Sequence, residues 1–427
     1  MISRKPACLA LLALLLLQLS VLFAQTPAPS PPASPRARDL GVPFDGTPGP
    51  LNAITDVAGI EVGYKTLISG DGRLVVGKGP VRTGVTAILP RGKANMKSVF
   101  AGYFAGNGNG DMTGTHWIEE SGVLETPILI TNTGSVGVVR DAAVAWIVKN
   151  KHPGEFWYPV TAETADWPLN DIKGQHVTAQ DAWDALDSAA SGPLLEGNVG
   201  GGTGMVCNGF KGGTGTASRK LEGDAAGYTV GVLVQCNYGI SKQLHIAGIP
   251  VAREMTLQKP CVEKKLDPPV TNWDGTPAPV CEANITSTTD GIRPDEMGSI
   301  IVIVATDAPL TPDQLKRLAR RVSVGLGRLG AIEGDGSGDI FLAFSTANIG
   351  ADEGNSTANF TQPNAKVDRM QSWKLNPIFT AVIQATEESV VNAMIAAKTM
   401  VGADYWVVPA LPHDQLQEVL RKHGMLK

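Results

Sequence analysis

The sequence predicts a mixed α/β fold, because apolar runs typical of strands alternate with amphipathic helices along the chain. The clearest strand is the unbroken, mostly β-branched run from Ile300 to Ala305, which is typical of a strand buried on both faces. The clearest helix begins at Pro312 and places apolar residues on one face, while Lys316 and Arg317 fall on the other. A chain of 427 residues can form either two domains or one large α/β domain.

The other elements follow from the same two patterns, taken in chain order. Apolar runs predict strands at 85–90, at the start of 126–137, at 231–237 and at 339–345. Helical spacing predicts helices at 138–149, 178–188, 386–399 and 414–423. Glycine-rich segments at 100–114 and 334–338 predict a loop and a turn, and the aperiodic segment 257–294 predicts a long surface excursion.

The first 24 residues are predicted to be a secretory signal rather than part of the fold. Arg4 and Lys5 precede an apolar stretch shorter than the ~20 residues of a membrane span, and Ala24 suits the last position before cleavage. The alternative is an uncleaved anchor. Residues 25–38 are rich in Pro, Ala and Ser and predict a disordered tether. We therefore expect a periplasmic or secreted protein with no stable membrane insertion after signal removal.

Charge and cysteine content narrow the classes of function. A net charge of −5 leaves no basic patch, which argues against nucleic acid as a partner. The 6 histidines are scattered, and no pair has metal-ligand spacing on one helix face, so no metal is expected. In an oxidising compartment Cys261 and Cys281 are predicted to form a disulfide, because both lie in one irregular segment. Cys207 and Cys236 fall in apolar or Gly-rich stretches and are expected to be buried free thiols.

The densest glycine segment, 197–219, raises the alternative of a nucleotide-binding loop. A P-loop needs Gly-Lys-Ser/Thr, but here Lys211 stands between Phe210 and Gly212. The dinucleotide fingerprint carries little information in so glycine-rich a stretch, where triplets match by chance. Tight backbone packing around a site is the favoured interpretation.

One serine lies at the start of the predicted core strand, directly after a glycine. A chain that cuts itself between Gly298 and Ser299 would use this arrangement well, because glycine leaves its carbonyl open to attack and tolerates strained turns. Cleavage would give Ser299 a free α-amine, which can act as general base for its own hydroxyl. For an isolated Gly-Ser dipeptide, however, a serine that merely begins a strand is the favoured interpretation.

Several longer motifs in a fixed order favour self-cleavage over a serine that merely begins a strand. They are NAITDV from Asn52, NGNGDMTG from Asn107, TNTGSVG from Thr131, FKGGTGTASR from Phe210, VQCNYG from Val234 and GSIIVIVATDAPL from Gly298. With these motifs the chain resembles the L-aminopeptidase/D-amino-acid esterase family, which includes the β-peptidyl aminopeptidases. The resemblance covers about residues 38–410.

The resemblance implies a precursor that cuts itself into a large subunit, 39–298, and a small subunit, 299–427, which together form one domain. It implies that Ser299 is the nucleophile. Ser337 and Asp339, within GSGDI from Gly336, match the second serine and the carboxylate behind the nucleophile. From the residues alone, Ser337 is better explained as a turn serine.

The resemblance also assigns two residues that face the substrate. Asn237 matches the oxyanion-hole residue, although a strand-end asparagine that bonds its own backbone is the simpler alternative. Glu163 matches a carboxylate that binds the substrate ammonium, and its simpler alternative is a solvated surface acid. A tyrosine that the family often carries two positions after this glutamate is replaced here by Ala165, with Trp167 nearby.

The fold implied by the resemblance is an αββα sandwich that resembles the N-terminal-nucleophile hydrolases and is closer in connectivity to the ornithine acetyltransferases. No metal or organic cofactor is implied, and the family commonly forms tetramers of the two-subunit unit. The expected function is a serine aminopeptidase acting on short peptides, amides or esters. The rivals are an acetyltransferase-like enzyme and an exported binding protein with an inactive site.

Overall fold

Two β-sheets lie face to face at the centre of the fold. The computed structural model describes residues 34–152, 154, 156–281, 296–349 and 364–426. The smaller sheet consists, in spatial order, of β1 (Glu61–Ser69), β2 (Val81–Leu89), β5 (Ile128–Asn132) and β6 (Val160–Thr164). The larger sheet consists, in spatial order, of β4 (Val123–Leu124), β3 (Val99–Gly108), β13 (Gly336–Ser345), β12 (Met297–Thr306), β10 (Thr229–Asn237) and β9 (Gly213–Lys220).

Short strands complete the β-structure beside these sheets. A three-stranded group consists of β11 (Cys261–Val262), β15 (Trp406–Val408) and β14 (Met400–Val401), and a two-stranded group consists of β7 (Val206–Cys207) and β8 (Phe210–Lys211).

Helices cover both outer faces of the two sheets. A short helix, α1 (Thr115–Ser121), contacts β3 and β4. The outer face of the smaller sheet packs against α2 (Val136–Lys149) and α3 (Ala179–Asp187). The outer face of the larger sheet packs against α4 (Pro312–Ala319), α5 (Val322–Arg328), α6 (Asn376–Ala396) and α7 (His413–Lys422). The layers follow in the order helix, sheet, sheet, helix. This is the αββα sandwich that the resemblance to the family implied.

The predicted core strand lies inside the larger sheet as β12. It pairs in parallel with β13 and antiparallel with β10. Because strand side chains alternate in direction, Ile301 and Ile303 point into the core between the sheets, while Val302 and Val304 point towards the helices. Burial on both faces explains why this segment has no polar residue between Ile300 and Ala305.

Several predicted elements differ from the observed ones. The helix predicted from Pro312 is divided into α4 and α5, and α6 begins at Asn376 rather than at 386. The predicted glycine-rich loop at 100–114 is largely strand β3. Its Gly102 faces α4, where a Cβ atom would lie 2.4 Å from the backbone nitrogen of Lys316. This glycine allows a helix to pack closely on a strand, and the composition alone suggested a loop.

The folded part of the chain begins earlier than predicted. Residues 1–33, which hold the predicted signal and most of the tether, lie outside the described residues. Within the end of the predicted tether, Arg36 pairs with Glu196 at 2.7 Å, and Arg38 pairs with the fully buried Glu388 at 2.8 Å. Ala37 between them is fully buried. The tether prediction is therefore wrong at 36–38, because these two arginines find buried carboxylates that are far away in sequence. Within the described ranges, no helix has the length and apolar character that a membrane crossing requires.

Both cysteine pairs are joined in the structure. Cys261 is bonded to Cys281, the pairing that the sequence favoured. Cys207 is bonded to Cys236, with 5.5 Å between their Cα atoms, so the expectation of two free thiols there is wrong. The chain turns back after Cys207 through β8 and β9, which brings it beside the end of β10. That reversal could not be inferred from the spacing of the two cysteines.

Candidate active site

The register of three strands brings the predicted catalytic residues together. Ser299, near the start of β12, lies opposite Gly338 on β13 and opposite Asn237 on β10. Ser337 and Asp339 flank Gly338, so they lie on either side of the position facing Ser299. The three segments are far apart in sequence, and only the pairing of their strands makes them neighbours.

The junction between Gly298 and Ser299 is held in a distinctive conformation. The Ser299 hydroxyl donates a hydrogen bond of 2.6 Å to the carbonyl oxygen of Gly298. Gly298 has a φ of +129°, a value that residues with a side chain rarely adopt. Ser299 is 5% exposed. The hydroxyl oxygen that is predicted to be the nucleophile therefore lies against the carbonyl group that self-cleavage would attack.

Behind the serine lies a buried hydroxyl–carboxyl pair. The Ser337 hydroxyl donates a hydrogen bond of 2.7 Å to Oδ1 of Asp339, and both side chains are fully buried. Burial, together with the smaller effect of the charges of Glu333 and Glu296, raises the pKa of Asp339 to about 7, although the Ser337 hydrogen bond opposes this rise. Asp339 therefore changes charge close to neutral pH, which suits a group that takes part in proton transfer.

On the opposite side of Ser299, the amide of Asn237 has a fixed orientation. Its Oδ1 accepts a hydrogen bond of 2.8 Å from the backbone nitrogen of Val206, and its Nδ2 donates one of 2.9 Å to the carbonyl of Ala165. The side chain is fully buried. Because the oxygen is bound on the Val206 side, the donor nitrogen is held on the other side.

Glu163 comes from the smaller sheet, near the end of β6. It is 3% exposed and accepts a hydrogen bond of 3.0 Å from the backbone nitrogen of Asp111 and another from the Thr133 hydroxyl. Burial raises its pKa, although both hydrogen bonds oppose that effect. The alternative of a solvated surface acid is therefore wrong, since this carboxyl is buried and held by two donors.

Two glycines lie between Glu163 and the serine. A Cβ atom on Gly110 would lie 3.2 Å from Glu163 Oε1 and 3.3 Å from Gly338 Cα. A Cβ atom on Gly338 would in turn lie 2.8 Å from Ser299 Oγ. A side chain at either position would press on the groups around it, so glycine allows the segments between the carboxyl and the hydroxyl to pack this closely.

Sequence reasoning missed the residues that brace this arrangement. The side-chain nitrogen of Asn107 donates to the carbonyl of Ser337, and that of Asn109 donates to the carbonyl of Gly336 at 3.1 Å. These bonds attach the end of β3 to the segment that carries Ser337 and Asp339. The motif NGNGDMTG from Asn107 could have indicated these contacts, because asparagines two residues apart lie on the same face of an extended strand.

Comparisons with known proteins show the family and the fold of the chain. The model of Peptidase family S58 matches residues 52–408. The β-peptidyl aminopeptidase BapA of Sphingosinicella microcystinivorans is 53% identical over 394 residues, which cover 92% of this chain and 93% of that protein. The L-aminopeptidase D-Ala-esterase/amidase of Ochrobactrum anthropi, described as a variant of the Ntn hydrolase fold, superposes with a TM-score of 0.78 at 44% identity and covers 92% of this chain and 100% of its own. A Burkholderia sp. β-aminopeptidase gives 0.77 at 44% identity, with coverages of 91% and 99%.

Fold and site define the class of the protein. It is a hydrolase with an αββα fold of the N-terminal-nucleophile type, and it is an aminopeptidase. Within that class, the chain belongs to peptidase family S58, the family of the L-aminopeptidase/D-amino-acid esterases and β-peptidyl aminopeptidases. The resemblance found from the motifs is confirmed.

Proposed function

We propose that this protein is a self-processing serine aminopeptidase that releases N-terminal residues from short peptides, amino-acid amides or esters through an acyl-enzyme on Ser299. The observation that carries the proposal is the Ser299 hydroxyl held against the Gly298 carbonyl. The buried Ser337–Asp339 pair and the oriented Asn237 amide lie on the strands at its two sides.

Self-processing would begin with attack of Ser299 Oγ on the carbonyl carbon of Gly298. The bond from that carbon to the Ser299 nitrogen breaks, the nitrogen takes up a proton, and an ester joins Gly298 to Oγ. Water then hydrolyses the ester, which leaves a carboxyl group on Gly298 and a free α-amine on Ser299. Ser337 and Asp339 accept and return the proton in this scheme.

Turnover would reuse the same hydroxyl. The α-amine of Ser299, supported by Ser337 and Asp339, takes the proton while Oγ attacks the substrate carbonyl. Nδ2 of Asn237 donates a hydrogen bond to the developing oxyanion, a contribution of about 3 kcal/mol in comparable sites. The leaving amine or alcohol takes the proton, and water hydrolyses the acyl-enzyme.

Substrate selection in this scheme rests on Glu163. An aminopeptidase must recognise a free ammonium group, and a buried carboxylate binds one by charge and hydrogen bonding. Asp111 and Thr133 hold the carboxylate in place through their donors. Gly110 and Gly338 keep side chains out of the region between Glu163 and Ser299.

A periplasmic or secreted location and an assembly of two-subunit units, such as a tetramer, form part of the proposal. The two disulfides support an oxidising compartment, because disulfides persist there and are rare in the cytosol. The apolar stretch with its basic start at Arg4 and Lys5 supports export. Size-exclusion chromatography with light scattering measures the assembly directly.

A substrate panel tests the proposed reaction. The purified protein is incubated with p-nitroanilides of α-, β- and D-amino acids, with and without an added acceptor amine. We expect nitroaniline release without an acceptor. Transfer only to the added amine would support the acetyltransferase-like alternative, and inertness in fully folded protein would support a binding protein.

Changing Glu163→Gln should separate substrate recognition from chemistry. The glutamine can still accept from the Asp111 nitrogen and donate to the Thr133 hydroxyl, so the fold is kept while the charge is lost. We expect kcat/KM for free-amine substrates to fall about 10- to 100-fold, in line with the 1.5–3 kcal/mol of a charged hydrogen bond. Glu418→Gln, at an exposed position of α7, is the matched control and should leave kcat/KM unchanged. Equal losses on free-amine and N-acetylated esters would show that Glu163 is structural.

A further inference from the structure

A fully buried lysine lies beside the oxyanion side of the site and has no role in the scheme above. Lys211, in β8, is 0% exposed. Its ammonium nitrogen donates to three backbone carbonyls, of Met205 at 2.9 Å, Gly212 at 2.8 Å and Gly202 at 3.4 Å. Among the ion pairs of the described residues, none involves this lysine. Burial lowers its pKa to about 7.

The three carbonyls explain how such a group is tolerated. An ammonium has three N–H groups, and each finds one acceptor here. Burying an amine without a counter-charge is costly, so a packing role alone would be served better by an apolar side chain. The lysine instead connects the turn at 202–205 to Gly212, the residue that precedes β9.

The segment that Lys211 holds leads directly to the oxyanion amide. The Met205 carbonyl accepts from the lysine and also from the Gly212 nitrogen at 2.9 Å. The next backbone nitrogen, that of Val206, donates to Oδ1 of Asn237 at 2.8 Å. The lysine is therefore connected to the Asn237 amide through two hydrogen bonds and the single peptide group between Met205 and Val206.

Loss of this connection has a specific consequence. If the segment shifts, the Val206 nitrogen moves away from Oδ1, and the Asn237 amide loses one of the two hydrogen bonds that select its orientation, the other being the bond from Nδ2 to the Ala165 carbonyl. A turned amide presents its oxygen, which repels a developing negative charge, where its nitrogen should donate. The disulfide from Cys207 to Cys236 joins the residues next to Val206 and Asn237, so it limits the movement of the backbone but does not select the orientation of the amide.

We propose that Lys211 is a positioning residue that keeps the Asn237 amide aimed at the oxyanion, acting through Met205 and Val206. The inference rests on the proposed role of Asn237 in the reaction. It identifies a function for the FKGG part of a motif that suggested phosphate binding, since the lysine binds the protein's own carbonyls.

The test compares Lys211→Met with Lys211→Gln in processed protein that retains both subunits. Methionine has a similar length but no donor, whereas glutamine keeps two N–H groups. We expect Lys211→Met to lower kcat roughly 10-fold with KM within about twofold, because misplaced donors weaken the transition state more than substrate binding. Lys211→Gln should recover part of the loss. Lys398→Met, at an exposed position, is the control that should leave kcat unchanged.

A double-mutant cycle shows whether the effect passes through Asn237. In an Asn237→Ala background, Lys211→Met should lower kcat no further, because there is no amide left to orient. An equal additional loss in that background, or an unchanged kcat in folded Lys211→Met protein, would overturn the proposal. If Lys211→Met does not fold, the same cycle is run with Lys211→Gln. Full activity of Asn237→Ala alone would instead show that the proposed role of Asn237 is wrong.

Discussion

Ser299→Ala should give a single uncut chain with no amide or ester hydrolysis. The alanine lacks the hydroxyl that lies against the Gly298 carbonyl, so the peptide bond between Gly298 and residue 299 should not break. The α-amine then never forms, and the substrate meets no nucleophile. We expect activity to fall by at least about 10⁴-fold, because the nucleophile and its base are lost together. Denaturing gels and intact mass report the cleavage, and nitroaniline release reports the turnover.

Two further variants make this result specific. Ser299→Cys keeps a nucleophile and should cut itself at least in part, yet turn over amides poorly, because a thiol suits a different base and pocket. Ser372→Ala changes an exposed serine far along the chain and should be processed and active like the unchanged protein. A Ser299→Ala protein that still divides after Gly298, or still hydrolyses amides, would falsify the nucleophile assignment.

From the residues alone, only those features of the site that depend on the local pattern of apolar and polar residues could be predicted. The β-branched run after Ser299 predicts a core strand, and β12 confirms it, since a run with no polar residue must be buried on both faces. Ser337 illustrates the limit. Its glycine-rich surroundings predicted a turn, but β13 begins at Gly336, and the parallel register with β12 places Ser337 opposite Gly298, next to the predicted nucleophile Ser299.

What the sequence pattern could not predict depends on contacts between distant segments. From the residues alone, a solvated surface acid was the simpler alternative for Glu163, whereas in the structure the carboxyl is buried and held by Asp111 and Thr133, which come from two other segments. The Cys207–Cys236 bond likewise requires the reversal of the chain through β8. The family resemblance supplied the roles of Ser337, Asp339 and Asn237, and the strand register supplies the physical reason that these residues can act together.

Asp339→Asn should lower both self-processing and turnover about 10²- to 10³-fold, within the range for loss of a group in general acid–base catalysis. In the uncut chain, burial raises the pKa of Asp339 to about 7. The ionised carboxylate, which accepts the Ser337 proton, is therefore present above that pH and is lost as the pH falls through it. We expect the processing rate of the unchanged protein to fall below about pH 7, and Asp339→Asn to lack this dependence.

Stability should move in the opposite direction to activity, which separates catalysis from folding. A carboxyl with a raised pKa in the folded state binds its proton more tightly there than in the unfolded chain, whose value is about 3.9. Folding is therefore weakened as the pH rises from about 4 to 7, and asparagine removes that effect. At pH 8 we expect Asp339→Asn to unfold at a temperature no lower than that of the unchanged protein. A large fall in its unfolding temperature would mean that the lost activity reflects a damaged fold.

Processing should itself shift the titration of Asp339. Cleavage creates an α-ammonium on Ser299, one strand away from the carboxyl, and a nearby positive charge lowers a carboxyl pKa. The acidic limb of turnover in the mature enzyme should therefore lie at lower pH than the acidic limb of self-processing in the precursor. Initial rates of nitroaniline release and of chain cleavage, measured across pH 5 to 9 in the same buffers, provide the comparison. Coincident limbs, or a limb that survives in Asp339→Asn, would show that another group controls the pH dependence.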